Sequence, residues 1–352
     1  MTISHPPVSR RARTAVAICL ATVAAVTTAC SSPSGGGGDG ATRTVTLSVS
    51  TGPNSPAGIE AAKFAELATG YTGGKIKFRL LLQGQLGDAT SILQGLQANT
   101  SQFFTTGVAD AVVPAMDVMF LPYMFASQRS GFEAARSDFA RTHIWDAFEQ
   151  KGLKVIGFVD NGGYAGLVCS KKVDSLAAFE GLRIRDANPK VGDDIYKALR
   201  TNPTPIGLNE VFTSMSTHVI DCVETAPPTV VSLKLNETAD YYIDPRFTLY
   251  IIPMLVSKQF WDSLSPDLQQ AVQRASDEAQ ESQFATEAGF YQSGLDSLEK
   301  LGMTIVRPSK TELQPALQGV YESFKKREGI GADLVDGMVG AAKTTNDQFP
   351  SD

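Results

Sequence analysis

The chain has 352 residues, 31 Lys and Arg against 37 Asp and Glu, four cysteines and three histidines. A net charge of −6 argues against nucleic acid and against an anionic membrane surface as electrostatic partners, since both repel an acidic protein. The length allows one large domain or two lobes. No HxxxH, CxxC or acidic cluster has metal spacing, so neither metal nor cofactor is expected.

Residues 1–29 read as a signal peptide. Arg10, Arg11 and Arg13 precede a short apolar run from Ala15 to Val26, too short to span a bilayer as a mature helix. Cys30 stands at the small-residue cleavage site, and residues 30–42 continue as a Ser- and Gly-rich tether that cannot form a core. A cysteine so placed resembles a bacterial lipoprotein signal. It makes Cys30 the expected lipidation site and a lipid anchor on the outer face of the cytoplasmic membrane the expected location. Thr27 departs from the leucine of that pattern, and an ordinary secretory signal with an incidental Cys30 is the alternative. Ser9–Arg11 leaves Sec and twin-arginine export both open. Loss of the leader removes three arginines and no acid, which leaves 28 bases against 37 acids. Any anion site in the mature chain must then be made locally positive, so each arginine in a cleft counts.

The body opens with alternating residues over Arg43–Ser50, a strand. Ser55 and Pro56 read as the cap and first residue of a helix running to about Thr69. Lys75–Gln83 alternates again, and Asp88 caps a helix carrying Ile92, Leu93 and Leu96. This β-α-β-α opening predicts a sheet with crossover helices. Val108–Ser127 is apolar, broken by Pro114 and Pro122, and is expected to hold a strand and then a connection lining a cleft. Helices are expected near Arg129–Phe139 and His143–Lys151. Leu153–Asp160 is a strand, Asn161–Tyr164 (NGGY) a sharp glycine turn between lobes, and Ala165–Lys172 extended. The second lobe is expected to hold the strand Leu182–Arg185, helices over Val191–Leu199 and Leu208–Met215, the strand Val219–Glu224 and a helix over Thr229–Leu235. Phe247–Ser257 is a long strand that crosses back. Ser265–Pro266 starts a helix reaching about Leu301, long enough to brace both lobes. The strand Met303–Pro308 and two helices, around Glu312–Lys326 and Ala332–Ala342, end the chain. The fold class is therefore α/β with two lobes: 43–162 with 250–290, and 163–249 with 291–348, the helix 266–300 being shared.

Arg185 ends its strand, and about forty residues later a second strand ends in Glu224 and Thr225. A guanidinium matches a carboxylate in a bidentate fork that lysine cannot reproduce, and ligands of α/β folds sit at strand ends. The segment points to a receptor for a small organic acid, although an arginine paired structurally to Asp186 or Glu224 is the plainer alternative. Cys169 and Cys222 are either a disulfide, which persists outside the cytosol, or two buried thiols. A secreted hydrolase is a remote alternative. It needs a nucleophile, a base and an orienting acid, and His143 and His218, the histidines of the body, have no partner in sequence.

KFAEL, TGGKIK, QLGD, LPYMF, KGL, GLRIR, EVFTSM, VIDCVET and FWDSLSPDLQQ follow one another between Val45 and Met338. In that order they resemble the solute-binding proteins of TRAP (tripartite ATP-independent periplasmic) transporters, of the dicarboxylate-binding-protein type. The resemblance implies two lobes that close on an organic acid and deliver it to the membrane subunits of an ion-gradient-driven permease, with no chemistry on the ligand. The family's ligand arginine falls on Arg185, with Arg183 in the outward lysine place. Its asparagine falls on Thr225 and its tyrosine on Phe212, while Glu224 stands beside them as ligand contact or as support for Arg185. Many members carry a second ligand arginine where this chain has Tyr164. That departure favours a monocarboxylate, or a neutral-tailed acid met by Tyr164 and Phe212 in a less polar pocket. A binding lipoprotein of an ABC importer or of a sensor kinase is the runner-up.

Overall fold

The computed structural model describes residues 42–185 and 189–350. The signal peptide, Cys30, the tether up to residue 41, and Asp186 lie outside them. Three strands, β1 (Arg43–Val49), β2 (Ile76–Leu81) and β3 (Phe103–Thr105), run parallel, with β1 between the other two. They are linked by α1 (Pro56–Tyr71) and α2 (Ala89–Gln97). The helices start where the sequence predicts: Ser55 Oγ accepts from Gly58 N at 3.1 Å, and Asp88 Oδ1 accepts from Ser91 N at 2.9 Å. Phe64 of α1 packs its ring on Phe78 and Phe103, centroids 5.2 and 5.7 Å apart, and so fixes α1 to the sheet.

Two strands of 17 residues, β4 (Leu153–Cys169) and β8 (Tyr241–Ser257), pair antiparallel over nearly their whole length. They carry the sheet from one half of the molecule to the other. The late part of β8 pairs with β3, and its early part pairs with β9 (Thr304–Val306). The late part of β4 pairs with β7 (Cys222–Thr225), which neighbours β5 (Arg183–Arg185) and then β6 (Asn202–Thr204). The described residues thus form a single nine-stranded sheet of order β2-β1-β3-β8-β4-β7-β5-β6, with β9 attached to β8. Its parallel flanks and antiparallel centre define two lobes joined by long strands. The remaining longer helices are α3 (Gln128–Arg136), α4 (Pro189–Ala198), α5 (Val211–Ser216), α6 (Pro227–Ser232), α7 (Pro266–Lys300), α8 (Lys310–Lys325) and α9 (Gly331–Gln348).

The 35-residue α7 has the start and length that its sequence predicts. It packs against α1 and β4 in one lobe and against α6 and β9 in the other. It is bonded to β4 as well as packed on it: Gln280 Oε1 accepts from Phe158 N at 2.9 Å, and Gln283 exchanges bonds of 3.2 and 3.0 Å with the Asp160 backbone. Gly157 permits this approach, since a Cβ there would lie 2.3 Å from Ser276 Oγ.

Two expectations are corrected. Val108–Ser127 holds no strand; it folds as 3₁₀ turns over Ala109–Ala111 and Pro114–Phe120. Pro114 lacks the N–H of a ladder and presets φ for a helical first turn, while Met116, Val118 and Phe120 still reach the core. The NGGY segment does not turn the chain either. β4 runs straight through it in a bulge, with the register jumping between Asp160 and Tyr164. Gly162 and Gly163, at φ of 104° and 81°, absorb the extra residues without reversing the strand.

Candidate ligand-binding site

The carboxyl ends of β1, β2 and β3 in one lobe, and of β5 and β7 in the other, open onto one cavity of about 510 Å³, within the usual range for small-molecule sites. The first lobe supplies Ser50 and Thr51 after β1, Gln83 after β2, and Thr106 after β3. Asn161 enters from the β4 bulge, and Tyr250 and Ile252 from one face of β8. Phe120 meets Tyr250 edge to face at 5.8 Å and forms an aromatic wall. The second lobe supplies Arg185, Glu224, Thr225 and Thr229, with Leu208 and Glu210 on the approach to α5.

Arg185 is the last residue of β5 and is 9 % exposed. Its Nε donates to the Ile206 carbonyl at 3.1 Å, which fixes the direction of the guanidinium. Among the described residues that line the cavity it is the only base. β5 pairs with β7 so that Arg185 lies opposite Val223, which brings Glu224 and Thr225 alongside it, both buried. β7 is itself secured to β4: Cys169 lies opposite Cys222 and the structure joins them in a disulfide, with Cα atoms 4.2 Å apart. Arg183, two residues before Arg185, has another task. It grips Asp221 in a fork of 2.9 and 3.0 Å, and this hydrogen bonding holds the Asp221 carboxyl below the usual range.

The structure does not bring Tyr164 or Phe212 into this cavity. The β4 bulge presents Asn161 there instead, and Tyr164 is buried with its ring 5.8 Å from that of Tyr291 on α7 and 5.7 Å from the Arg246 guanidinium. Phe212 lies on the first turn of α5, past the lining residues Leu208 and Glu210, and is 38 % exposed. The surroundings of Arg185 are consequently richer in hydroxyls and amides than those two aromatics imply. Gln83, Thr106 and Asn161 were missed in the sequence, although the strand-end rule that singled out Arg185 applies equally to the first two. Neither His143 nor His218 lines the cavity; the His143 ring stacks on Phe139 at 4.2 Å. Among the described residues no group of His, Cys, Asp and Glu has the geometry of a metal site, and no helix is long and apolar enough to cross a membrane.

One buried acid lies outside the cavity. Glu60 of α1 is 2 % exposed, and neither carboxyl oxygen has a hydrogen-bond partner among the described residues. Burial, and then the Asp160 carboxylate, push its pKa well above the ordinary 4.5. An acid raised in the folded state stabilises fully below its unfolded value, and that stability is lost as pH rises through the raised value. Glu60→Gln, neutral throughout, is expected to melt higher than the parent at pH 8, by roughly 1.5–2.5 °C per kcal/mol relieved in a chain of this size, with the gap closing toward pH 4.5. Melting curves across that range check it, and parallel pH profiles would refute it.

The model of the bacterial extracellular solute-binding protein family 7 matches residues 47–328. The chain is 26 % identical over 281 residues to the 2,3-diketo-L-gulonate-binding periplasmic protein of Escherichia coli, covering 79 % of this chain and 85 % of that one. It is 25 % identical over 296 residues to the C4-dicarboxylate-binding periplasmic protein of Rhodobacter capsulatus, covering 82 % and 88 %. A TRAP periplasmic solute-binding protein of Haemophilus influenzae, solved with bound L-gulonate, superposes with a TM-score of 0.80 at 25 % identity, over 86 % of this chain and 99 % of that one. The sugar acid binding protein of Advenella mimigardefordensis, solved with galactonate, has the same fold, with a TM-score of 0.81 at 22 % identity over 87 % and 99 %. With the match running through both lobes and the strand ends around Arg185, the chain belongs to the family 7 extracellular solute-binding proteins and is a solute receptor of the TRAP type.

Proposed function

We propose that this receptor binds a monocarboxylate sugar acid, an aldonate or a uronate, with Arg185 gripping the carboxylate. The observation that carries the reading is the charge pattern of the cavity: among the described lining residues there are one guanidinium and three carboxylates (Asp88, Glu210 and Glu224), beside hydroxyls, amides, the Phe120–Tyr250 wall and the aliphatic Val108, Leu208 and Ile252. A second ligand carboxylate would meet acids there and no second base among the described lining residues. Hydroxyls suit the same lining, since Thr225, Thr229 and Thr106 offer both donors and acceptors, and an aromatic wall suits the apolar face of a sugar chain. The 2,3-diketo-L-gulonate, galactonate and L-gulonate of three relatives above support this class, and the C4-dicarboxylate of the fourth makes dicarboxylates the class to test against.

Binding closes two lobes, 43–162 with 250–290 and 163–249 with 291–348, about β4 and β8, with α7 as the brace. The closed pair presents a composite surface to the membrane subunits of an ion-gradient-driven permease. The ligand leaves chemically unchanged. Cys30 carries a lipid that holds the receptor at the outer face of the membrane. An intact mass with a diacylglyceryl addition on Cys30 supports this, and a mature N-terminus elsewhere overturns it. The test of the ligand class is a thermal-shift panel of galactonate, gulonate, galacturonate and glucuronate against succinate, malate and fumarate. Sugar acids at about 100 times Kd are expected to stabilise by about 2.7 kcal/mol. Stabilisation by the dicarboxylates alone would sink the reading.

A further inference from the structure

We propose that Asn161 is the specificity-determining residue of the site, reading the neutral, hydroxylated end of the bound acid, and that Asp160 is the residue that positions it. This rests on the monocarboxylate sugar-acid reading above and goes beyond it in assigning a residue to the hydroxylated part of the ligand.

Asn161 is the only residue of β4 that lines the cavity. It opens a bulge in which three residues, Asn161 to Gly163, face a single residue of β8, Tyr250, itself part of the lining. The bulge has no room to relax. A Cβ on Gly162 would lie 3.0 Å from Ala226 Cβ, and one on Gly163 would lie 2.5 Å from Gln128 Nε2 and 2.8 Å from the Tyr291 ring. Asp160, fully buried, accepts both bulge amides on one oxygen, from Gly162 N at 3.0 Å and Gly163 N at 2.5 Å. α7 holds the backbone of the same residue through Gln283. Asn161 is therefore aimed by a side chain on one flank and by two packed glycines on the other.

Its amide brings two donors and one acceptor, which pair with a hydroxyl in either role. A ligand carboxylate at this pole would satisfy the donors alone, and its charge would meet no base among the described lining residues but Arg185, already engaged. The part of the bound acid that meets Asn161 is accordingly read as neutral and hydroxyl-bearing. A rigid mount sharpens that choice, because a polar group held in place pays no ordering entropy when the lobes close.

The experiment is isothermal titration calorimetry with galactonate or gulonate, whichever shifts melting more, and with the matching aldarate, which carries a carboxylate at both ends. Asn161→Ala is expected to weaken aldonate binding about tenfold while apo melting stays within about 2 °C. Asn161→Lys is expected to move the aldonate-to-aldarate preference at least tenfold toward the aldarate, a gain that lost packing cannot produce. Asp160→Ala is expected to reproduce Asn161→Ala. Asp160→Asn, which keeps an acceptor for the two amides, is expected to recover affinity to within about threefold. If the parent binds the aldonate through Arg185 but Asn161→Ala changes its affinity less than twofold, or the Asn161→Lys preference does not move, this proposal falls and the ligand class stands. If the parent binds neither acid, the ligand class falls and this proposal falls with it.

Discussion

Arg185→Ala is expected to weaken sugar-acid binding by at least 100-fold, with little change in the melting of the unliganded protein. The guanidinium is buried at the mouth of β5 and directed by the Ile206 carbonyl, so a ligand carboxylate that reaches it has left water behind. Removing one partner of such a desolvated pair typically costs about 2–5 kcal/mol, and each 1.4 kcal/mol is about tenfold in affinity. Arg185→Lys is expected to restore only part of the loss, since an ammonium keeps the charge but not the fork. Titration calorimetry of both variants decides the matter. Binding within threefold of the parent in Arg185→Ala would remove the carboxylate anchor, and with it the ligand class. The unliganded protein should tolerate the change because β5 is held independently by its pairing with β6 and β7.

The Cys169→Ala, Cys222→Ala double variant is expected to lose about 4 kcal/mol of stability, the loop-closure term for two residues 53 apart in sequence. In a chain of this size that corresponds to a melting point roughly 5–10 °C lower. The replacement leaves small apolar side chains where both cysteines are fully buried, so the lost cross-link dominates. Affinity should fall as well. The bond fastens the start of β7 to the late part of β4, and β7 delivers Glu224 and Thr225 to the cavity two and three residues further on. Calorimetric melting of parent and variant under non-reducing conditions reads the effect. A shift below about 1 °C would show that the strand pairing alone holds β7.

Much of the fold was legible because its signals are local. A cap followed by proline started α1, the Asp88 cap started α2, and an apolar stripe from Pro266 onward carried α7 to Lys300. The alternating runs around Val45 and Phe78 became parallel neighbours, as a β-α-β unit requires. Arg185 was legible for the same reason: a short strand ending in a base, with a polar strand end shortly after it, can be recognised within one stretch of chain.

Facing and register were not legible, because they are properties of pairs. Tyr164 and Asn161 are three residues apart, and sequence favoured the tyrosine. The bulge settled the matter by turning Tyr164 toward Tyr291, far along the chain on α7, and Asn161 toward the cavity. That bulge exists because Asp160 folds back onto two amides and because α7 and α6 leave space only for glycine. The disulfide was equally out of reach until β7 docked on β4 and set Cys222 opposite Cys169. The sequence by itself determined most of the elements, the family and the strand-end place of Arg185, the proposed carboxylate anchor, since helix caps, strand alternation and motif order are encoded over a few neighbouring residues. Only the tertiary structure decided which side chains surround that anchor, because an inward or outward aim is set by strands and helices that meet across long stretches of chain.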